Sequence, residues 1–387
     1  MSLNLDKTTW KRVAFGDIVK NLNVTVKDPE AVGIDRVIAM EHLDPGELKI
    51  SRWGGIDDGK TFTRRVKVGQ TLFGKRRAYQ RKVAYAEFDA ITSGDILVFE
   101  ADETQLLPAF LPFLVQSEGF YDHALGTSAG SLSPRTNWRD LSNYQFDLPP
   151  LDEQKRLADL LWAFERHRKR LADLTSALSP GYDSWITARL GDFPTQPLGE
   201  IAEIQHGRPV PSELYGKGDF PLLRPGDMTP GGVTQWSTSS VSIPESFASD
   251  YLPWILEPGD LVINMTAQSL EDRFLGRVCR MHDRALLNQR IGRLRSQGMN
   301  NDFLFVALRA PEFSDWVARR SEGSKVKHMH WRHIEDYPVP IPDLAAQQTI
   351  VAEAAAWSSA ADSLALEGHS VLSLLSSIMA AIFGGQP

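Results

Sequence analysis

Cysteine is almost absent from this sequence. Its single thiol, Cys279, cannot close an internal disulfide, so covalent stapling is excluded and buried apolar surface must hold the fold. The N-terminal Met-Ser-Leu-Asn has neither a basic segment nor an apolar core of signal-peptide type. No unbroken run of roughly 18 apolar residues occurs, and the most apolar stretch, Val371 to Phe383, is short and carries Ser373, Ser376 and Ser377. Together these absences predict a reduced, cytoplasmic protein with no membrane span. Also missing are a phosphate loop ending in Gly-Lys-Ser/Thr and a His-Glu-x-x-His pair, the signatures of two large classes of hydrolase.

What is present is an ordinary globular composition, 42% hydrophobic and 24% charged over 387 residues, long enough for two domains with separate cores. The net charge of -7 argues against indiscriminate nucleic-acid binding, although an acidic average can conceal a basic face.

The chain repeats itself. Trp138-Arg139 opens Trp-Arg-x-Leu-x-x-Tyr-x-Phe-x-Leu-Pro and runs on to Leu151 and Gln154. Trp331-Arg332 opens Trp-Arg-x-Ile-x-x-Tyr-x-Val-x-Ile-Pro and reaches Leu344 and Gln347, an offset of 193. At that offset Phe110, Leu111 and Phe120 return as Phe303, Leu304 and Phe313, and Gly130-Ser131 returns as Gly323-Ser324. Phe15-Gly16-Asp17-Ile18 matches Leu198-Gly199-Glu200-Ile201 at an offset of 183, so the second copy gains ten residues before Phe303. Apolar framework letters match while polar and turn letters differ, which predicts one scaffold presenting two surfaces.

After each Leu-Pro or Ile-Pro the pattern turns helical. Leu157, Phe164, Leu171 and Leu178 recur every seven residues, with Leu160 and Leu174 at the d spacing, and Pro180-Gly181 closes the run. Ile350, Trp357, Leu364 and Val371 repeat those a positions, and Ile378 adds one more. The spacing predicts domains at 1–150 and 183–343, with long helices at 151–182 and 344–387. A helix from Asp152 to Ser179 would be roughly 42 Å long. Its seam needs a cover, and the other copy's helix is the natural one, the alternative being each helix lying on its own domain. Elsewhere Ile96 to Phe99, Asp260 to Ile263 and alternating Tyr144, Phe146, Leu148 read as strands, and Leu107 to Val115 and Asp302 to Leu308 as short helices. The class is α+β, with two similar mixed domains.

Basic residues cluster within each copy. Between residues 64 and 82 lie Arg64, Arg65, Lys67, Lys75, Arg76, Arg77, Arg81 and Lys82 with no acidic residue, interleaved by Phe73, Tyr79 and Gln80. Such cations can neutralise phosphates, and Arg77, Tyr79, Gln80 and Arg81 suit base edges or sugars. The bland reading is a solvated charged hairpin. The second copy has Arg273, Arg277, Arg280, Arg284, Arg290, Arg293 and Arg295, with Asn288 and Gln289 among them. Segments after the repeated Gly-Ser add Ser131, Arg135 and Asn137 in one copy, and Ser324, Lys325, Lys327, His328 and His330 in the other. Duplicated basic surfaces point to a duplex contacted at two places.

Rival chemistries are weaker. His328, His330 and His333 could be metal ligands, but no Cys or second motif completes a site, and the first-copy equivalents are Arg135, Asn137 and Asp140. Gly126-Thr127-Ser128-Ala129-Gly130 fits Gly-x-Ser-x-Gly, yet Ser131-Leu132-Ser133-Pro134 follows where a nucleophile elbow needs a helix. Cys279 reads as packing, and Asp152-Glu153 as acids at a helix start.

Leu148-Pro149-Pro150-Leu151-Asp152-Glu153-Gln154-Lys155-Arg156-Leu157-Ala158, its second form Ile341-Pro342-Asp343-Leu344-Ala345-Ala346-Gln347-Gln348, and Leu198-Gly199-Glu200-Ile201 together resemble the specificity subunits of type I restriction-modification enzymes. The likeness spans nearly the whole chain, with Ala346 departing where the family usually has Glu. It implies two DNA target-recognition domains, each reading half of a bipartite site, separated by an antiparallel coiled-coil pair with pseudo-two-fold symmetry. It further implies methyltransferase subunits docked on the helices, here around Gln154, Leu157, Phe164, Leu171, Gln347, Ile350, Trp357 and Leu364, with motor-nuclease subunits joining that core. No cofactor is expected in this chain; S-adenosylmethionine, ATP and Mg belong to the partners. Helix length would then set the gap between half-sites. Alternatives are a specificity subunit of a methyltransferase-only or other phage-defence system, a metal-dependent hydrolase using His328, His330 and His333, and a purely structural adaptor.

Overall fold

The computed structural model describes residues 5–59, 61–128, 130, 134–268, 270–323 and 326–384, with the side chain of Asp272 left out. The chain forms two compact units. Domain 1 runs to Asp173 and takes in the residues from Leu366 onward; domain 2 is Leu174–Ala365.

In domain 1 the strands in chain order are β1 (Lys11–Ala14), β2 (Val19–Leu22), β3 (Val37–Ile38), β4 (Arg64–Val66), β5 (Thr71–Gly74), β6 (Val83–Tyr85), β7 (Ala90–Thr92), β8 (Ile96–Ala101) and β9 (Gln145–Leu148). They form a four-stranded antiparallel sheet β2-β8-β5-β6, a three-stranded sheet β3-β7-β4 and the pair β1-β9. β5 and Ile96 to Phe99 of β8 are buried, which is why that part of β8 reads as a continuous apolar run. Against the larger sheet pack the helices Leu111–Gln116 and Glu118–Gly126, whose Phe113, Phe120 and Tyr121 join Phe15, Phe73 and Phe99 in one core.

Domain 2 repeats this with β10 (Thr195–Pro197), β11 (Ala202–His206), β12 (Phe220–Leu223), β13 (Val241–Ile243), β14 (Ile255–Leu256), β15 (Leu261–Asn264), β16 (Thr266–Ala267), β17 (Val278–Arg280), β18 (Ala285–Leu287), β19 (Ile291–Ser296), β20 (Lys327–His328) and β21 (Pro338–Pro340). The main sheet β11-β19-β15-β17 copies β2-β8-β5-β6 in order and register: Val19 faces Ala101 as Ala202 faces Ser296, and Thr71 faces Tyr85 as Leu261 faces Arg280. Even the parallel pairing of β3 with β7 returns as β12 with β18, to which domain 2 adds the edge strand β13. The entry turn is shared as well. Phe15 N–H donates to Tyr144 O and Gly16 N–H to Ser142 O, while Leu198 N–H donates to Tyr337 O. A Cβ on Gly16 would stand 2.7 Å from that of Ser142, and one on Gly199 3.0 Å from that of Glu335, so both turns admit only glycine comfortably.

The long helices are Leu151–Leu190 and Leu344–Phe383, forty residues each and offset by 193 at both ends. The first does not stop at Pro180, as proline chemistry predicted. It carries Pro180 inside and continues for ten more residues. Tertiary packing outweighs the lost backbone bond: Gly181 lies beneath Trp357, where a Cβ would meet the indole at 3.1 Å, and Ile186 and Leu190 enter the domain 2 core. The expected boundary at 182/183 therefore falls inside a helix.

Within domain 1, Leu157, Ala158 and Leu161 of the first helix share the core with Ile378 and Ile382 of the second, and His167 hydrogen-bonds Glu367 at 2.9 Å. Within domain 2, Ile350 and Ala354 share the core with Ile186, and Arg189 pairs with Glu353 at 3.1 Å. In both places the two segments run antiparallel, and each also lies on the globular part, so the two covers weighed from sequence operate together. The expected d positions do not form the seam: Leu160 is half-buried and Leu174 is 55% exposed, whereas Leu161 is fully buried. A sheet surface selects a 3.6-residue stripe rather than a strict heptad.

The second long helix contains an 18-residue window of mean hydropathy 1.5, long and apolar enough to cross a membrane by composition. Counting unbroken runs missed it because small Ala and Ser residues interrupt the apolar letters. Its Ile350, Ala354, Ile378 and Ile382 are committed to the two protein cores.

Candidate nucleic-acid interface

In domain 1 the loop from Lys75 to Lys82 leaves β5 and is pinned at its base. Lys75 N–H donates to Asp95 O, Thr136 N–H donates to Lys75 O, and Arg76 and Arg135 face one another in an isolated antiparallel bridge. The short turn Ala78–Gln80 is flanked by Arg77 (φ 54°) and Arg81 (φ 52°), two non-glycine residues in the left-handed region. Such conformations cost of order 1 kcal/mol or more each and persist where the surroundings over-determine them, often at binding loops. The turn lifts Arg77 and Tyr79 into solvent, Tyr79 being 55% exposed.

Not every predicted cation is available. Arg81 makes a two-pronged pair with Glu118 and stacks 5.0 Å from the Tyr121 ring, which holds its guanidinium more basic and the Glu118 carboxyl more acidic than usual. Lys82 Nζ donates to Met40 O at 2.6 Å, and Arg64 donates to Ile96 O. All three have partners within the fold, Arg81 and Lys82 being among the residues expected to contact DNA. Lys75 is half-buried, and desolvation lowers its ammonium pKa. Arg76 and Arg135 keep 45% and 55% of their side chains exposed and share Asp95, at 4.0 Å and 3.4 Å. Asn137 is exposed, Gln80 half-buried.

Domain 2 builds the same frame. Met265 N–H donates to Arg290 O, Met329 N–H donates to Met265 O, and β16 pairs with β20 so that Thr266 faces His328. Each bond matches its domain 1 counterpart, which equates Asp95 with Arg290, Arg76 with Thr266 and Arg135 with His328. This frame borders a cleft of about 730 Å³ whose walls include Arg224, Asn288, Gln289 and Arg290. Gln289 and Arg290 are exposed, Asn288 is buried beside Gly207, and Lys327 is half-buried in β20. Predicted Arg273 and Arg277 do not join the cleft edge. Arg273 pairs with Asp183 at 3.1 Å, and Arg277 donates to Met228 O at 2.9 Å. Arg280, Arg284 and Arg293 are likewise committed, to Asp302, Glu257 and Asp260. Ser131, Ser324 and Lys325 lie outside the described residues.

The rival sites do not assemble. His330 Nε2 stands 3.5 Å from Glu322 and its ring 5.9 Å from that of His333, but no group of three or more potential ligands forms a metal site among the described residues. Ser128 follows a helix rather than a strand and bonds Ala124 O and Thr136 Oγ1 at 2.8 Å each. Burial pushes the Cys279 thiol up to about 11, opposite to what a nucleophile needs.

The residues expected to meet partner subunits include several that cannot. Gln154 is fully buried: its Oε1 accepts from Leu107 N–H at 2.9 Å and its Nε2 donates to Gln105 O and Pro149 O at 2.8 Å. Gln347 does the same with Asn300 N–H and Pro342 O, both at 2.9 Å. Leu157 and Ile350 are fully buried and Leu171 is 5% exposed, all inside their own domains. Phe164, Trp357 and Leu364 remain partly exposed.

The sequence profile described as type I restriction modification DNA specificity domain matches residues 9–176 and again 191–353. The chain belongs to this family. It is 20% identical over 384 residues to the type I restriction enzyme MjaVIII specificity subunit of Methanocaldococcus jannaschii, covering 88% of this chain and 84% of that one. A shorter match, 27% identical over 176 residues, joins 44% of the chain to 32% of the EcoBI specificity subunit of Escherichia coli. Among solved structures, a chain from work on complex assembly and conformational transition of the type I R-M system superposes with TM-score 0.62 at 19% identity, covering 97% of this chain and 98% of that one. The type I S subunit of M. genitalium gives 0.59 at 14%, covering 100% and 99%. At such identities the likeness is one of fold, and it embraces both specificity domains and both long helices.

Sequence reasoning missed Asp95, because a search for DNA contacts counts cations. Comparing the copies position by position would have shown it, since its counterpart is the oppositely charged Arg290.

Proposed function

We propose that this chain is the non-catalytic DNA-recognition subunit of a type I restriction-modification complex, with each specificity domain reading one half of a bipartite site. The observation that carries this is the frame held in common by the two domains, the same backbone bonds bearing different exposed side chains. Two copies of one enzyme site would keep their chemical groups; two readers of different sequences would change them. The chain selects the site in the cytoplasm. Methyltransferase subunits, seated along the long helices, flip and methylate the base with S-adenosylmethionine, and motor-nuclease subunits bring ATP and Mg. Exposed Arg77, Tyr79 and Arg290 supply backbone and groove contacts, and the helices fix the gap between half-sites.

The test is single-molecule sequencing of DNA from a methylation-free host expressing the cognate methyltransferase, with and without this chain. A bipartite methylated motif found only with the chain is the expected result. An active methyltransferase that gains no motif from it would overturn the reading.

A further inference from the structure

Resting on that reading, we propose that Arg76 and Arg135 are the specificity-determining residues of domain 1, reading guanine edges, and that Thr266, His328 and Arg290 occupy the same reading position in domain 2 for a different base pattern.

The frame places Arg76 and Arg135 directly opposite each other across a two-strand bridge, on a surface where both remain about half exposed. Two guanidiniums that close repel, and Asp95 between them offsets the repulsion. The carboxylate also limits the rotamers of both side chains, so less freedom is lost when they engage a ligand. A carboxylate at this spot is a poor choice for gripping phosphate, which it repels. It suits a neutral acceptor pair, and guanine O6 and N7 form the pair that a guanidinium fork matches in the major groove.

Domain 2 supplies the contrast. With every bond of the frame retained, the acid becomes Arg290, the two arginines become Thr266 and His328, and Lys75 becomes Met265. Framework positions elsewhere in the repeat keep their apolar character. Charge inversion at one constrained position, half-buried as Asp95 and exposed as Arg290, is the pattern of a position that discriminates between ligands. The neighbouring amide of exposed Gln289 on the cleft wall suits an adenine edge.

The experiment uses the assembled complex of this chain with its methyltransferase and a DNA library randomised over both half-sites. Arg135→Lys and Arg76→Lys keep the charge and remove the fork. Each is expected to relax a base pair of one half-site by roughly ten- to a hundred-fold, leaving the other half-site intact. Arg290→Ala should relax the second half-site alone. Uniform weakening with an unchanged motif would make these residues phosphate contacts and overturn the assignment. The graft Thr266→Arg, His328→Arg, Arg290→Asp gives an independent arm: new guanine preference in the second half-site supports the proposal, and an unchanged second half-site counts against it. If the unaltered complex selects no two-part motif, the proposed function itself falls, and this assignment with it.

Discussion

The start of each long helix and the loop frame above each main sheet respond differently to the duplication. At the helix start Gln154 and Gln347 share two bonds, from a backbone N–H 47 residues earlier and to the proline carbonyl five residues earlier, because a buried amide left without partners is costly whatever the protein reads. At the frame the backbone bonds persist while half-buried Asp95 gives way to exposed Arg290, because side chains that keep contact with solvent are freer of that constraint. Burial fixes identity, and exposure releases it for recognition.

The largest expected effect breaks the equality of the glutamines. Gln154 satisfies three backbone groups and Gln347 two, so Gln154→Ala should cost on the order of 3 kcal/mol and Gln347→Ala roughly 2. Urea unfolding of the full chain reads both, and equal losses would show that the third bond, to Gln105 O, is worthless.

A smaller effect separates neighbours within one loop. Arg81→Ala removes the Glu118 pair and the Tyr121 stack and should cost about 1 kcal/mol of stability, most of the pair's Coulomb energy being screened. Arg77→Ala should leave stability alone and lower the slope of log affinity against log salt by about one. A slope that drops for Arg81 and not Arg77 would exchange their roles.

The smallest effect is a difference in acid response. Partial desolvation beside Trp331, whose ring centroid is 4.0 Å away, lowers the pKa of the otherwise exposed His206 in domain 2. A depressed imidazole contributes stability that is present above its ordinary value of 6.5 and lost as pH falls through the folded value. In domain 1 Arg168 donates to Glu47 at 2.7 and 2.8 Å and holds that carboxyl below its ordinary 4.5. Its contribution is present above 4.5 and is lost at more acid pH still. Thermal melts between about pH 7.5 and about pH 5.5 should therefore weaken domain 2 by a few tenths of a kcal/mol while domain 1 holds. His206→Asn should abolish that difference.

Much of this architecture was legible in the sequence. The repeat offset, the strands near Ile96 and Leu261, and the helix starts follow from local pattern. What local pattern lacks is depth. Gln154 looked like a surface residue because its partners lie 47 and 49 residues earlier. Pro180 looked like an end because Trp357, which covers the following glycine, is far away in sequence. The arginines looked equivalent, and only ion pairs with distant acids separated Arg81 and Arg273 from Arg77 and Arg290. Strand order was out of reach for the same reason, every sheet being joined by non-local pairings.

The last turns of the second long helix lie in the core of domain 1, and Lys7 Nζ donates to Ile382 O at 3.1 Å. Domain 2 is one uninterrupted stretch of chain, whereas domain 1 is stitched from both sides of it. During synthesis the order of completion is therefore reversed: the later domain can close as soon as it emerges, and the earlier one waits with an open core for the final helix to arrive.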